Sequence, residues 1–357
     1  MKNKKIVSLA ALLIASLTAA QAQFTPGNLV VLRDGTGSGA LSSAGTAIFL
    51  DQYTTIGGFV NSLAIPTTGS SALVDSGTAA SEGQLSLSAG NQYLVFAGYN
   101  TSAGTAGVAG STTIPRGVGT VDANGNYSLA ATTTTFYNGN NIRGGTSDGS
   151  GNFWGAGAAA TGGTVYLGGG TPSQIVFSNS LAIQDIGGNL FFSTAKGTPG
   201  IFEFTGTPTS GPVAPTLLFA TGANPSDFTF NPNMTIAYVA NTASGANGGI
   251  SRYNYSGGVW SFAYTLDSGT AMNAVVADFS GAQPVLYATT ESGTSLVEIT
   301  DAGSGTTSGA TVLDTAGSNE AFRGLEFVPQ VVPEPTSYAL VGLGLATLLG
   351  FRKRNRS

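Results

Sequence analysis

Short apolar runs alternate with polar turns over most of the chain. The runs recur from Asn28 to Val328, and most of them are bounded by Gly, Asn, Asp or Pro. Many alternate apolar and polar positions, as in Gln84–Ser88, and many are rich in β-branched and aromatic residues, as in Tyr93–Ala97 and Ile236–Val239. This pattern is typical of strands. Between the two ends of the chain no stretch shows a convincing helical apolar period, so we expect an almost entirely β body.

A weak repeat in the second half indicates how these strands are arranged. One unit runs from Asp227 to Leu266 and the next from Met272 to Leu313, and each contains four strand-sized runs. Adding the other starts that fit gives six positions: Gln84, Ile142, Leu181, Asp227, Met272 and Phe322. Their spacings are 58, 39, 46, 45 and 50 residues. A four-stranded propeller blade has a similar period, roughly 40–50 residues.

The last unit contains only its first strand, and the runs at Asn28, Ala47 and Phe59 can supply the missing three. Pairing the two chain ends would complete a blade and leave no open sheet edge. We therefore predict an all-β body that is a single β-propeller of six four-stranded blades, or seven if the 58-residue unit and the N-terminal portion hide another. In the spacing of its predicted strands the body resembles β-propellers of exported bacterial proteins, although it has no WD or Kelch motif. A β-solenoid and paired β-sandwiches are the alternatives.

The N-terminus has the pattern of a secretory signal peptide. Three lysines precede the apolar core Ile6–Ala15, and Ala20-Gln21-Ala22 forms an A-x-A site. Cleavage by signal peptidase after Ala22 would start the mature protein at Gln23. An uncleaved membrane anchor is the alternative, but the apolar core is short and a small-residue site follows it.

The C-terminal residues 331–357 have three parts in order. The tetrad Val332-Pro333-Glu334-Pro335 should be extended, because each proline disfavours helix in the residue before it. The uncharged run Tyr338–Phe351 predicts a transmembrane helix about 21 Å long at ~1.5 Å per residue, against a hydrocarbon core of ~30 Å. The alternative is a buried C-terminal helix of a soluble protein. A membrane stop fits better, because four basic residues follow directly and should stay in the cytoplasm: Arg352, Lys353, Arg354 and Arg356.

This tail resembles the PEP-CTERM sorting signal of Gram-negative bacteria, in the order Val332–Pro335, apolar helix and Arg-rich end. The resemblance implies recognition by an exosortase, an integral membrane cysteine protease, and cleavage near the Pro-Glu-Pro. It also implies export across the inner membrane, a membrane-anchored precursor, and a mature protein at the cell surface or outside the cell, associated with exopolysaccharide and biofilm. The resemblance covers about the last 25 residues and implies nothing about the predicted domain 23–330.

Composition excludes several functions for that domain. Its six basic and 17 acidic residues give a net charge of −11, and the basic residues are scattered. Nucleic-acid binding needs clustered Lys and Arg, so we expect none. The chain has no Cys and no His, which excludes disulfides, Ser-His-Asp hydrolysis and histidine-ligated zinc. Catalysis by paired carboxylates remains allowed.

Two acidic turns look like calcium loops, Asp122–Asn126 and Asp148–Asn152. Neither has the later Glu of an EF-hand loop, since Thr133 and Ala159 stand at the twelfth positions. We therefore predict strand-to-strand turns, which Asn, Asp and Gly favour, and no metal or other cofactor.

Two functions fit these observations. The first is a non-catalytic binding or structural propeller with polysaccharide as its candidate ligand, and this is our prediction. The alternative is a glycan hydrolase or lyase that uses acidic residues near inner strands, with tryptophans stacking on sugar rings. Its candidates, each of which also has an ordinary structural explanation, are Asp185, Asp227, Asp278, Trp154 and Trp260. We assign no catalytic residue.

Overall fold

The structure is a computed structural model that describes residues 24–158, 161–222, 224–304 and 309–330. The predicted cleavage site at Ala20, Ala22 and Gln23 lies outside the described residues. So do the tetrad Val332–Pro335, the predicted transmembrane helix 338–351 and the basic end that follows it. Within the described ranges, no helix is long and apolar enough to cross a membrane.

The described part of the chain is built from strands, with a single 3₁₀ turn at Ala89–Asn91. In chain order the strands are β1 (Leu29–Asp34), β2 (Gly45–Tyr53), β3 (Phe59–Ala64), β4 (Val74–Ser76), β5 (Ser86–Leu87), β6 (Tyr93–Tyr99), β7 (Arg116–Asp122), β8 (Tyr127–Thr133), β9 (Ile142–Ser147), β10 (Phe153–Gly157), β11 (Thr164–Tyr166), β12 (Ser173–Val176), β13 (Ser180–Ile186), β14 (Asn189–Thr194), β15 (Gly200–Phe204), β16 (Thr216–Ala220), β17 (Pro225–Phe230), β18 (Ile236–Asn241), β19 (Gly249–Ser256), β20 (Val259–Leu266), β21 (Met272–Asp278), β22 (Val285–Thr290), β23 (Ser295–Thr300), β24 (Thr311–Thr315) and β25 (Ala321–Phe327).

These strands form a β-propeller of six four-stranded antiparallel blades. Blade 1 contains β25, β1, β2 and β3, and blade 2 contains β5 to β8. Blades 3, 4, 5 and 6 contain β9–β12, β13–β16, β17–β20 and β21–β24. The innermost strands are β25, β5, β9, β13, β17 and β21, which coincide with the six repeat starts predicted from the sequence. The short strand β4 bridges β2 and β6 and so joins blades 1 and 2 into one sheet, which the repeat did not predict.

The two ends of the chain close the ring, as predicted. Strand β1 pairs with β25 in register Leu29↔Phe327 and Val31↔Leu325. Arg33 strengthens this closure, because its guanidinium bonds Asp51 at 2.5 Å and Glu320 at 2.8 Å. On the inner side, β25 lies so close to blade 2 that a Cβ at Gly324 would come within 2.3 Å of a backbone oxygen. Only glycine fits there without displacing the neighbouring backbone.

Apolar side chains fill the spaces between neighbouring blades. Between blades 4 and 5, Phe191 packs near Phe228, Phe219 and Tyr253, with the Phe219 and Tyr253 rings 4.5 Å apart. Between blades 3 and 4, Trp154 is fully buried in a similar cluster and donates its indole N–H to the Pro208 carbonyl at 2.7 Å. The alternating strand pattern thus places one face of each blade against its neighbour.

A buried network of polar groups joins blades 5 and 6. The Asp301 side chain is fully buried and accepts hydrogen bonds from the Tyr238 hydroxyl at 2.5 Å and the Arg252 guanidinium at 2.7 Å. Its other oxygen accepts from the Tyr264 hydroxyl at 2.7 Å and the Gly303 backbone N–H at 2.8 Å. Burial opposes ionisation, but these hydrogen bonds outweigh it and hold the Asp301 pKa below its usual value.

A second buried network, between blades 1 and 2, contains three carboxyl groups. Arg323 bonds Asp34 at 3.0 Å, and Glu82 accepts from the Tyr99 hydroxyl at 2.6 Å. Neither carboxyl oxygen of Asp75 has a hydrogen-bond partner among the described residues. Burial raises the pKa of Asp34 to about 6 and of Glu82 to about 7, and it raises the pKa of Asp75 strongly. Over the described ranges, no group of three acidic side chains is arranged to hold a metal ion.

The two acidic segments that look like calcium loops are strand-to-strand turns, as predicted. Asp122 accepts the backbone N–H groups of Asn124 and Asn126 at 2.9 and 2.8 Å. Asp148 does the same for Ser150 and Asn152, at 2.8 and 3.1 Å. Both carboxylates therefore stabilise the turns in which they lie.

Candidate functional site

The carboxyl ends of the inner strands and both ends of the described chain lie on one face of the propeller, here named the terminal face. Residue Leu29 at the start of β1 pairs with Phe327 at the end of β25. Before β1, the Phe24 N–H bonds the carbonyl of Ala123, in the β7–β8 turn on the same face. After β25, the Val328 N–H bonds the Asn28 carbonyl at 3.0 Å.

A cavity of about 620 Å³ lies on this face at the mouth of the central channel and is here named the cup. Its volume is in the range of small-molecule sites. Its wall mixes glycines, apolar side chains and polar groups from blades 1, 2, 4 and 5. The lining residues are Leu87, Ala89, Gly90, Asn91, Gln184, Asp185, Ile186, Gly187, Gly188, Asn189, Thr229, Phe230, Asn231, Pro232, Met234 and Glu326.

Three polar side chains close the channel itself. Gln84 from blade 2 donates to Ser226 of blade 5 and to Asn273 of blade 6, each at 3.1 Å. The Ser226 hydroxyl also donates to Asn273 at 3.1 Å. All three are buried, and bonds between opposite blades cross the ring. The channel is therefore a plugged passage, and the cup is a recess rather than the entrance to a through-pore.

The Asp227 side chain connects neighbouring blades through hydrogen bonds. Its carboxyl group is buried and accepts the backbone N–H groups of Phe228 at 2.8 Å and Val275 at 3.1 Å. It also accepts from the Gln184 amide at 3.2 Å. Burial raises its pKa to about 7 despite these bonds. Since both oxygens already bond blades 4, 5 and 6 to one another, the group is structural.

Two carboxyl groups line the cup, Asp185 from blade 4 and Glu326 from blade 1. Asp185 accepts the Gly188 N–H at 3.1 Å through one oxygen, and its other oxygen has no partner among the described residues. Glu326 accepts the Phe327 N–H at 2.8 Å. Burial raises the pKa of both groups, that of Glu326 to about 8 with a further contribution from Asp227. At neutral pH Glu326 is therefore largely protonated and can donate a hydrogen bond.

The other candidates from the sequence lie elsewhere. Asp278 holds the β21–β22 turn by accepting the Ser280 N–H at 2.8 Å and lines a neighbouring cavity. Trp154 is fully buried and is unavailable for stacking on a sugar. Trp260 packs against Phe219 and Phe230, with ring centroids 5.1 and 5.6 Å away. The structure thus brings Asp185, but neither Asp278 nor the tryptophans, into the cup.

Sequence reasoning missed Glu326, although the repeat contains a signal for it. Aligning the unit starts Leu181 and Phe322 puts Asp185 and Glu326 at the same offset, near the end of an inner strand. Two acidic residues at equivalent places in different blades should meet at the same mouth of the ring.

Nearly all basic side chains of residues 23–330 form hydrogen bonds with other groups of the protein. Five of its six basic side chains donate hydrogen bonds to protein groups: Arg33, Arg116, Arg143, Arg252 and Arg323. The sixth, Lys196, is exposed in the β14–β15 loop on the opposite face. None of the residues that line the cup is basic. The lining of the cup is therefore acidic to neutral and offers no basic partner for a phosphate or carboxylate.

A comparison with family models identifies the end of the chain. Residues 331–354 match the model of the PEP-CTERM protein-sorting motif. The chain carries a PEP-CTERM sorting motif. This match confirms the resemblance seen in Val332–Pro335 and the residues after it, and it supports exosortase processing, export and a membrane-anchored precursor in a Gram-negative bacterium. A comparison with curated proteins finds no match.

Solved structures with distant similarity cover most of the chain. A proposed 6-phosphogluconolactonase of Bacteroides fragilis is 15% identical over 83% of each chain, with a TM-score of 0.46. The periplasmic gluconolactonase of Pseudomonas aeruginosa is 12% identical over 81% of this chain and 83% of its own, with a TM-score of 0.45. The assignment as a propeller rests on the six blades described above, and such distant similarity says nothing about activity.

Proposed function

We propose that this chain is an exported, exosortase-processed protein of the cell surface or extracellular matrix, with a non-catalytic propeller that binds an uncharged polysaccharide segment in the cup. The observation that carries the export part is the sorting motif at residues 331–354. The signal-peptide pattern at the other end of the chain supports it independently.

The composition of the cup supports a neutral ligand. Its volume of about 620 Å³ and its mixture of apolar and polar lining suit a short run of sugar units. An acidic polymer would meet Asp185 and Glu326 with no basic residue to compensate, which disfavours uronic acids and phosphosugars. A hydroxyl-rich neutral ligand can instead donate to Asp185 and accept from protonated Glu326.

The test is a calorimetric titration of the body, residues 23–330, with neutral glucan and with uronic acid oligosaccharides in the presence of a chelator. We expect binding of the neutral series only. Ala89→Trp, which fills the cup, should weaken it about tenfold or more, whereas Ala103→Trp in an exposed loop should leave it unchanged. Equal binding of the uronic acid series, or full binding by Ala89→Trp, would contradict the proposed ligand and its site.

A carboxylate-dependent glycan hydrolase or lyase is the second candidate. It is favoured by one observation, two carboxyl groups with raised pKa values in a single cup. An assay for new reducing ends or unsaturated sugars across neutral glycans decides between the two functions. Turnover that is lost in both Asp185→Asn and Glu326→Gln would establish the enzyme, and we expect none in the unmodified protein.

A further inference from the structure

We propose that the ligand site extends from the cup into a neighbouring cavity, where two phenylalanine rings bind further sugar units of the same neutral polysaccharide chain. This proposal rests on the proposed function, because it lengthens the site that begins in the cup. It predicts that the protein prefers a ligand longer than the cup can hold.

A second cavity on the terminal face adjoins the cup. It has a volume of about 490 Å³ and lies where blades 5, 6 and 1 meet, and it is here named the side recess. Pro232, an exposed residue of the β17–β18 turn, lines both cavities. Glu326 in the cup and Phe327 in the side recess are consecutive residues. A polymer that fills the cup can therefore continue past this boundary into the side recess.

Two aromatic rings line the side recess, Phe279 and Phe327, and both are half-buried. The Phe279 ring stacks on Tyr238, with the ring centroids 5.9 Å apart and an angle of 26° between the planes. Phe327 contacts the Tyr287 ring edge to face, with centroids 6.2 Å apart. Both tyrosines are buried, so each phenylalanine is supported from below while part of it faces the recess. Flat apolar rings in this arrangement suit the C–H faces of pyranose units.

The polar groups of the side recess suit a neutral sugar. Asp278 is half-buried and accepts the Ser280 N–H at 2.8 Å through one oxygen, which leaves the other oxygen for a ligand hydroxyl. Ser280 is exposed and adds a hydroxyl at the rim. None of the described residues that line the recess is basic. An acidic polymer would therefore meet a carboxylate without compensation here, as it would in the cup.

A third cavity, of about 560 Å³, also adjoins the cup and shares Leu87 and Asn91 with it. Among the described residues in its wall, Phe327 is the one aromatic ring, and none is acidic. The side recess combines two rings with a carboxylate, so we place the extension of the site there.

Calorimetric titration of residues 23–330, which contain every described strand, tests this proposal. The probes are cellotriose with cellohexaose and laminaritriose with laminarihexaose. A hexasaccharide offers about four overlapping trisaccharide frames, so a site limited to the cup would bind it only about fourfold more tightly than the trisaccharide. In the series that binds, we expect a gain of about thirtyfold or more, because the additional units bury apolar surface in the side recess.

Two variants locate this gain. Phe279→Leu keeps an apolar side chain but removes the flat ring. Ser280→Arg narrows the recess from an exposed position and leaves the packing beneath it intact, so it decides the question if Phe279→Leu does not fold. Each should weaken hexasaccharide binding about fivefold or more and leave trisaccharide binding unchanged. Thr198→Arg, in the exposed β14–β15 loop on the opposite face, is the control and should change neither.

A hexasaccharide gain of about fourfold or less would overturn this proposal and leave the cup as a binding site. Hexasaccharide binding that Ser280→Arg does not weaken would do the same. Absence of binding in both series, or full trisaccharide binding by Ala89→Trp, would overturn the proposed function and this proposal together. The trisaccharide titrations thus separate the two failures.

Discussion

Replacing Asp301 by asparagine should weaken the junction between blades 5 and 6 more than any surface change. The carboxylate is fully buried and accepts four hydrogen bonds of 2.5 to 2.8 Å, one of them from Arg252. The amide keeps the shape but loses the charge, so the largely buried Arg252 guanidinium is left without its counter-ion. Removing one partner of a buried ion pair costs about 3–5 kcal/mol.

Because Arg252 is partly exposed, we expect the lower end of that range for Asp301→Asn, about 3 kcal/mol. For a domain of about 300 residues the unfolding entropy is ~0.6 kcal/mol/K, so this loss lowers the melting temperature by about 5 °C. Differential scanning calorimetry of residues 23–330 measures it. Asp278→Asn is the matched control, because an asparagine can accept the same Ser280 N–H in that turn.

The effect of Asp301→Asn has a defined pH dependence. The Asp301 pKa is lowered in the folded protein, so its contribution is present above the unfolded value and is lost as the pH falls through the folded value. The difference between the unmodified protein and Asp301→Asn should therefore be constant near neutral pH and shrink below about pH 4. A melting temperature within 1 °C of the unmodified protein at pH 7, on the order of measurement scatter, would refute the account of this network.

Three further results are expected. As the pH rises from about 4 to 8 the unfolding free energy should fall, because buried carboxyl groups that bind a proton more tightly in the folded protein lose that advantage as the pH passes their folded pKa. Urea titrations over this range that show no decline would contradict this. These groups are Asp34, Glu82, Asp227 and Glu326, with folded pKa values of about 6, 7, 7 and 8. Arg33→Ala should lower the free energy of unfolding by about 3 kcal/mol, because it removes the ion pairs at the ring closure. The control Lys196→Ala should change it almost not at all, and equal urea midpoints for the two variants would disprove the role of Arg33. Gly324→Ala should lower the free energy of unfolding by at least ~2 kcal/mol, because the new Cβ would collide with the backbone of blade 2. The Cβ of Gly39→Ala meets open space, so this variant should be tolerated. Two equally stable variants would refute the close approach at Gly324.

The architecture was predictable because its signals are local. Strand alternation and turn residues lie next to one another in the sequence, so the repeat starts at Gln84, Ile142 and Leu181 could be read without any long-range information. The incomplete final unit at Phe322, which has only its first strand, predicted the ring closure for the same reason. The tail at Val332–Pro335 was recognisable because its three parts follow in a fixed order.

The candidate site was less predictable because long-range contacts create it. Gln84, Ser226 and Asn273 are ordinary polar residues in sequence, and only the closed ring brings them together as a plug. Asp227 is a candidate acid in the sequence, but in the structure both of its oxygens accept hydrogen bonds from neighbouring blades. Glu326 went unnoticed because its partner in the cup, Asp185, lies more than a hundred residues away.

The central claim is that this propeller is exported and cut free of its sorting signal. Intact mass spectrometry of the natively expressed protein, combined with cell fractionation, tests it most directly. The account predicts a form that starts at Gln23, ends near Pro333–Pro335 and is found outside the cell. A form that still carries Arg352 to Ser357 in the inner membrane would contradict it.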